Sequence, residues 1–408
     1  MIKDDFLSGI FYSVPNLRYY HSDKLSKVKL GNICSITGGY AFDSRKMKSK
    51  GEYQIIKMGN LYNGVLDLTR NPSFIDNPTK KELEYLIHKN DILITLTGTV
   101  NKKDYGYTVQ LNNPNNLLLN QRCALIKPLN INEKYLFYLL NSNNFFKQFY
   151  ASSTGGTGNQ TNVSINDMLN FNMYIANEKN QIIISEFLNK IDQRIETQIK
   201  IIDDYSSVKD YIIKQCFQKC KEYINLGNLF KYGKAGGTPK STIKEFYDGN
   251  IPFMGISDIT NQGKYISYTS KNITQKGLIN SSAWLVPKNS LILSMYASVG
   301  LPAINKIPLA TSQAMMSMIF DNDLDVEFVY YYLCYFKKSK IQSLLETGTQ
   351  SNINADTVKS IKVPKLRADE KEKITNIFIK VDQLINNEKE ILNSLQKQKN
   401  FLLKNMFV

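Results

Sequence analysis

SEFLNKIDQRI, Ser185 to Ile195, and TNIFIKVDQLI, Thr375 to Ile385, are one helix written twice. Lys190, Asp192, Gln193 and Ile195 recur as Lys380, Asp382, Gln383 and Ile385 at a constant interval of 190 residues, the mark of an internal repeat. Outward from this core, Ile184, Leu188, Ile191, Ile195, Ile202, Tyr205 and Ile212 step by threes and fours, with gaps. The same interval leads to Ile374, Phe378, Val381, Ile385, Leu392, Leu395 and Leu402, apolar at every position. Such spacing is the a/d seam of a coiled coil. Its polar interruptions coincide too, Gln198 and Lys209 in the first copy answering Glu388 and Lys399 in the second. Helices of roughly 40 residues reach on the order of 60 Å. That is too long for the core of one compact domain, so they are expected to pair with each other.

The remainder of the chain is basic. At 408 residues there is room for two or three domains with real cores. The net charge of +15 and a pI near 9.3 point to a polyanionic partner. From Glu178 to Lys219 seven acids face seven bases, and from Asp369 to Lys404 six face seven, which leaves +14 of the +15 outside the helices. The rods are nearly neutral, and the polyanion belongs to the segments between them. Five cysteines (Cys34, Cys123, Cys216, Cys220, Cys334) form no CxxC pair. Only His21 and His88 are available as imidazoles, so neither a metal site nor a disulfide framework is indicated. MIKDDF has acids where a signal peptide needs bases, and no run approaches the length of a membrane span. A cytoplasmic protein with no membrane association is expected.

In chain order, residues 1–24 read as an arm, 25–176 as a globular part, 177–221 as the first long helix, 222–366 as a second globular part and 367–408 as the second long helix. The globular parts share phrases. KLGNICSITGGYAF from Lys29 answers NLGNLFKYGKAGGTP from Asn225, setting Gly38 and Gly39 against Gly236 and Gly237. YQIIKMGNL aligns with IPFMGISDI on Met58/Met254 and Gly59/Gly255, and KNDILITLTGTV with KNSLILSMYASVG. These are short β-rich runs punctuated by Gly, Asn and Pro. Each part then has an aromatic helix, from Glu133 and from Val326, and a polar loop, aligned on Gln160/Gln350 and Asn162/Asn352.

No active-site signature emerges. GKAGGT, Gly233 to Thr238, has the composition of a phosphate loop without its spacing. No aromatic base-gripping run of an amino methyltransferase, no carboxylate cluster of a nuclease and no nucleophile with its base is present. Binding is the better reading. Gly38, Gly39, Gly236, Gly237, Thr238 and the Thr154 to Asn162 loop offer backbone N–H groups to phosphate. Arg45, Lys57, Lys102, Lys103, Lys234 and Lys240 supply charge. Asn60, Thr97, Asn101, Gln121, Arg122, Ser241, Ser257, Asp258, Ser294, Tyr296, Ser298 and Gln313 complete the candidate DNA-binding set, most of them of types that read base edges. Two other readings stay open: a DNA methyltransferase acting alone, and a coiled-coil scaffold for protein partners.

The layout resembles the specificity subunit of type I restriction-modification systems. The resemblance rests on AGGTPKS (Ala235 to Ser241), IPFMGISDI, GLINSSAWLVPKNSLILSMYASVG (Gly277 to Gly300), GTQSNI (Gly348 to Ile353) and VDQLI, and it covers essentially the whole chain. The first globular part departs from it, with GGYAF in place of GGTP. The resemblance implies an α+β fold of two β-rich target recognition domains separated by two long antiparallel helices in a coiled coil, related by a pseudo-twofold axis. It also implies that each domain reads half of a split sequence in double-stranded DNA. Two methyltransferase subunits would dock on the helices, with up to two restriction/translocase subunits joining for cleavage. The chain itself would be non-catalytic and hold no cofactor, S-adenosylmethionine being bound by the methyltransferase subunits. With antiparallel helices, Gln198 is expected close to Glu388.

Overall fold

The computed structural model describes residues 25–62, 64–155, 160–296, 298–339 and 352–407. The expected arm 1–24, residues 156–159 of the first polar loop and 347–351 of the second lie outside the described residues. The chain divides into two compact units, one drawn from 1–198 with 391–408 and the other from 199–390. Gln198 falls in the first and Glu388 in the second.

In the first unit the run Ile92–Thr95, β-branched except at Leu93, is buried at all four positions. It lies inside a four-stranded antiparallel sheet ordered Cys34–Gly38, Cys123–Pro128, Ile92–Thr95, Thr108–Gln110. A mixed sheet adjoins it. There Tyr53–Ile56 runs parallel to Leu117–Leu119, with Ile56 opposite Leu119, and antiparallel to Phe74–Ile75. A third, small sheet joins Thr97–Thr99 to Gln160–Asn162 and Thr154–Gly155. Helices Glu133–Leu139 and Asn143–Ala151 are N-capped by the side chains of Asn132 and Ser142. They lay Tyr135, Leu136, Phe145 and Phe149 into one core with Ile184, Leu188 and Ile191 and with Leu402, Leu403 and Phe407.

The second unit repeats the plan. Leu291–Ser294, also wholly buried, sits in a five-stranded sheet ordered Tyr232–Ala235, Met315–Ile319, Leu291–Ser294, Pro302–Asn305, Tyr265–Ile266. Tyr247–Met254 is flanked by Lys271–Ile273 and, in parallel, by Ala310–Thr311, Met254 facing Thr311. The aromatic helix runs Asp323–Ser339. The class is α+β.

The two long helices are Glu178–Gln218 and Ala368–Met406. Asn177 caps the first, its Oδ1 accepting from the Asn180 N–H at 2.9 Å. Their direction follows within the second unit: Lys209 meets Asp382 while Phe217, further along, meets Phe378, so the segments are antiparallel. The 190-residue repeat reaches beyond the expected seam, to Ser185/Thr375, Ile213/Leu403 and Phe217/Phe407, all six buried. Burying a Phe of this kind contributes about 1.5–3 kcal/mol.

The seam itself needs a correction. Ile184, Leu188, Ile191, Phe378, Ile385, Leu395 and Leu402 are buried, and Ile195, Ile202, Ile212, Ile374, Val381 and Leu392 half-buried, but Tyr205 is 36% exposed. The inward positions there are Ser206, Lys209 and Ile213. A 3.6-residue turn drifts against a 3.5-residue repeat, and a serine at the inward position beside Tyr205 hides the shift from hydrophobic pattern alone. Ser206 is accommodated by its Oγ donating to Ile202 O at 2.7 Å.

Lys209 is accommodated by a charge node that occurs in both units. In the second, Lys209 Nζ lies 2.5 Å from Asp382 Oδ1, and the Tyr331 hydroxyl donates to Asp382 Oδ2 at 2.6 Å. In the first, Lys399 Nζ lies 2.6 Å from Asp192 Oδ1, and the Tyr138 hydroxyl donates to Asp192 Oδ2 at 2.9 Å. Asp192 and Asp382 are repeat partners, as are Lys209 and Lys399. Each aspartate therefore holds an aromatic helix of its own unit with one oxygen and the opposing long helix with the other. The second unit adds Lys264, 2.6 Å from Glu327 and over the Tyr331 ring at 4.1 Å. Burial pushes the Lys264 ammonium below its ordinary range, while Glu327 opposes that shift.

Candidate nucleic-acid interface

The two sheets of each unit meet at a β-turn. In the first unit the turn is Asn120–Cys123, closed by Cys123 N–H donating to Asn120 O at 2.9 Å; in the second it is Ser312–Met315, closed at 3.1 Å. Each turn is tied in the same way. Asn120 N–H donates to Ile56 O and Ser312 N–H to Met254 O; Leu96 N–H donates to Arg122 O and Met295 N–H to Ala314 O. The equivalent residues are therefore Ile56 and Met254, not Met58 and Met254 as phrase alignment suggests. The turn tips are Gln121-Arg122 and Gln313-Ala314, with Gln121, Arg122 and Gln313 exposed. Around them gather Thr97, whose hydroxyl donates to Asn162 Oδ1 at 3.1 Å, and in the second unit Tyr296, 36% exposed, and Thr238, whose Oγ1 accepts from Gln313 N–H.

The double glycines do not cradle phosphate. Gly39 N–H donates to Cys123 O at 2.9 Å, Gly236 N–H to Met315 O at 2.9 Å and Gly237 N–H to Thr311 O at 3.0 Å. Their lack of a side chain serves packing: a Cβ on Gly39 would stand 2.2 Å from Asn120 O, one on Gly236 2.2 Å from Thr311 O, and one on Gly237 2.3 Å from Ala283 N. Gly39 thus matches Gly236, one position out of step with the sequence alignment. Gly38 ends its strand opposite Ala124.

Three expected base readers are internal. Asn60 is 2% exposed; its Oδ1 accepts from Lys57 N–H at 2.9 Å and its Nδ2 donates to Asp67 O at 3.0 Å and Arg70 O at 2.7 Å. Asp258, 1% exposed, is its counterpart, accepting from Gly255 N–H at 2.8 Å and Ser270 N–H at 2.9 Å. Ser294 is fully buried between Ser298 O and Leu301 N–H. Arg45 stands apart, its guanidinium clamped on Asp43 at 2.8 Å and holding that carboxyl below the usual range.

The other candidates stay at the surface. Asn101, with φ of 62°, turns the chain into exposed Lys102 and Lys103, the latter 5.3 Å over the Tyr150 ring. Lys57, half-buried, donates to Ser73 Oγ at 2.6 Å. Lys234, Lys240, Ser241, Ser257 and Ser298 are exposed. Among the described residues, none of Lys57, Lys102, Lys103, Arg122, Lys234 and Lys240 has a carboxylate within ion-pair distance, although the Lys102 charge acts on Asp104 from further off. Sequence reading missed the hairpin Leu61–Tyr62/Val65–Leu66 beside the first turn, although Asn63-Gly64 between two short apolar runs is a hairpin signal. Among the described residues no group of His, Cys, Asp and Glu could hold a metal ion, and no helix is long and apolar enough to cross a membrane.

A family model described as the type I restriction modification DNA specificity domain matches residues 23–202 and again 219–397. The MjaIX type I restriction enzyme specificity subunit of Methanocaldococcus jannaschii is 30% identical over 220 residues, covering 53% of this chain and 48% of that protein. The HindI specificity subunit of Haemophilus influenzae is 30% identical over 164 residues, covering 40% and 35%. The chain spans about half or less of the length of these curated relatives. The fold is similar to the crystal structure of a type I system S subunit from M. genitalium (TM-score 0.55, 18% identity, 97% of this chain and 98% of that one). It is also similar to a chain from a structure on complex assembly and conformational transition of the type I R-M system (TM-score 0.56, 14% identity, 93% and 96%).

Proposed function

The chain belongs to the type I restriction modification DNA specificity domain family, and from that premise we propose that it is the DNA-reading specificity subunit of a type I restriction-modification complex. Each unit reads one half of a bipartite site in double-stranded DNA, and the helices set the distance between the halves. The observation that carries this reading is the matched turn. One main-chain frame is present in both units, with glutamine exposed at the same place, yet its neighbours differ: Arg122 against Ala314, Thr97 against Tyr296. A common frame with different side chains suits two unlike half-sites, and the surface cations of both units that lack an ion-pair partner suit a phosphate backbone.

Two methyltransferase subunits dock on the helices, bind S-adenosylmethionine and methylate the DNA, and restriction/translocase subunits join them for cleavage. Apolar side chains left at the helix surface support such docking: Val208 is 50%, Tyr211 63% and Leu384 47% exposed. This chain performs no chemistry of its own. The test is of the ruler. Deleting one heptad from both helices should shorten the preferred gap between half-sites and leave the half-sites unchanged in a selection from random duplexes; an unaltered gap would sink the idea.

A further inference from the structure

Beside the turn of the first unit, the chain after Asn60 pairs as a small two-stranded ribbon, Leu61 opposite Leu66 and Tyr62 opposite Val65, with Asn63 outside the described residues. Leu61 roots it in the core at 1% exposure, whereas Tyr62 and Val65 are 52% and 62% exposed. Gly64, with φ of 74°, takes a left-handed turn conformation that a side chain would resist. The Arg70 guanidinium lies over the Tyr62 ring, 5.5 Å from its centre. Among the described residues no acid lies within ion-pair distance of Arg70: the nearby Asp67 carboxylate is held by Thr69 N–H at 2.9 Å and Thr69 Oγ1 at 2.6 Å, and the Arg70 charge acts on it only from further off.

The root of this ribbon is held by hydrogen bonds and ring packing. The buried Asn60 side chain grips the main chain of Arg70 at 2.7 Å and of Asp67 at 3.0 Å. Tyr62 sets its ring against Tyr107, centres 5.4 Å apart, and Tyr107 N–H donates to Thr95 Oγ1 at 3.0 Å. The base of the hairpin is continuous with the turn, because Ile56, whose carbonyl accepts from Asn120 N–H, directly precedes the Lys57–Asn60 bend. In the second unit the equivalent anchor, Asp258, carries a different segment, the helix Ile256–Gln262. The two units thus hang unlike elements from one point of a shared frame.

We propose that Tyr62, Val65 and Arg70 form an element, beside the turn, with which the first unit reads base edges in the major groove of its half-site. A two-stranded ribbon fits that groove. A guanidinium stacked on an aromatic face keeps its planar fork free for the O6 and N7 acceptors of guanine, and valine methyl groups match a thymine methyl. Rigid support is what discrimination requires, since a loosely held arginine makes its contacts with any acceptor at hand. The inference rests on the reading of the chain as a bipartite DNA reader.

The full-length chain and its variants are selected against a random duplex library at fixed salt. Arg70→Ala and Tyr62→Ala should lose preference at one or two adjacent positions of a single half-site, by roughly 5- to 150-fold, with the other half untouched. Arg70→Lys, which keeps the charge and loses the fork, should show the same loss of preference. If Arg70→Lys retained the preference while Arg70→Ala weakened all sequences alike and lowered the salt slope by about one, Arg70 would be a phosphate contact and the inference would fail. Unchanged selection by all three variants, or changes in both halves, would overturn it too. Failure of the wild-type chain to select any sequence would instead overturn the DNA-reading function itself.

Discussion

Removing the charge from Asp192 tests how the first unit holds the opposing helix. Its side chain is 22% exposed and that of Lys399 24%, so the pair lies between two regimes. An exposed pair contributes about 0–1 kcal/mol, and removing one partner of a buried pair costs about 3–5 kcal/mol. The carboxylate also accepts from the Tyr138 hydroxyl at 2.9 Å, and a hydrogen bond to a charged group contributes about 1.5–3 kcal/mol. Asp192→Ala loses both and should destabilise by about 2–4 kcal/mol. Asp192→Asn keeps an acceptor for Tyr138 and should cost about 1–2 kcal/mol, as should Lys399→Met, which keeps the aliphatic stem. Urea unfolding followed by far-ultraviolet circular dichroism measures each change, with hydrogen exchange of segment 184–198 as the local readout. In the double variant Asp192→Asn/Lys399→Met the two costs should fall short of additive by about 1 kcal/mol. Strict additivity would refute the node as a coupled element. In the second unit Asp382 also has Lys264 at 3.7 Å, so Asp382→Asn should cost about 1 kcal/mol more than Asp192→Asn.

Three further outcomes follow from the geometry. Gly39→Ala and Gly236→Ala should each destabilise by roughly 2–3 kcal/mol, because the new methyl group meets a main-chain carbonyl; thermal unfolding measures this, and an unaltered melting point with a reduced salt slope of DNA binding would restore the phosphate role. Lys102→Ala and Lys240→Ala should each lower that salt slope by about one without changing the selected sequence; a base-specific loss in a binding titration would contradict it. Burial, with a carboxylate behind it, raises the Tyr138 and Tyr331 hydroxyls well above the usual tyrosine range. Both stay protonated in the folded chain while the unfolded chain ionises near pH 10, so their stabilisation is present below about pH 10 and lost as pH rises beyond it, by up to about 1.4 kcal/mol per pH unit each. Urea midpoints compared at about pH 9 and about pH 11 should show the decline, and Tyr138→Phe should flatten it.

The duplication, the two long helices and the basic, strand-rich globular parts were legible in the sequence, because all depend on spacing and composition, which any stretch carries by itself; the α+β class was what the family resemblance implied. The recurrence of Asp192 and Lys209 as Asp382 and Lys399 was legible too, but not its meaning, since each aspartate bonds the lysine of the other copy. Lys209 was placed on the seam by its spacing, but the inward place of Ser206 could not be read from hydrophobicity, because its hydroxyl is satisfied by its own helix. The double glycines looked like a phosphate loop because a glycine required for close main-chain packing and one required for a ligand are the same letter. LLLNQRC and LATSQAM share little beyond a glutamine, yet their main chains bend and bond alike. Only tertiary structure decided which polar side chains remain available. Asn60, Asp258 and Ser294 are drawn inside to hold loops and strand ends, whereas Gln121, Arg122 and Gln313 are left at the tips of turns, because hydrogen-bond satisfaction is settled by neighbours that lie far away along the chain.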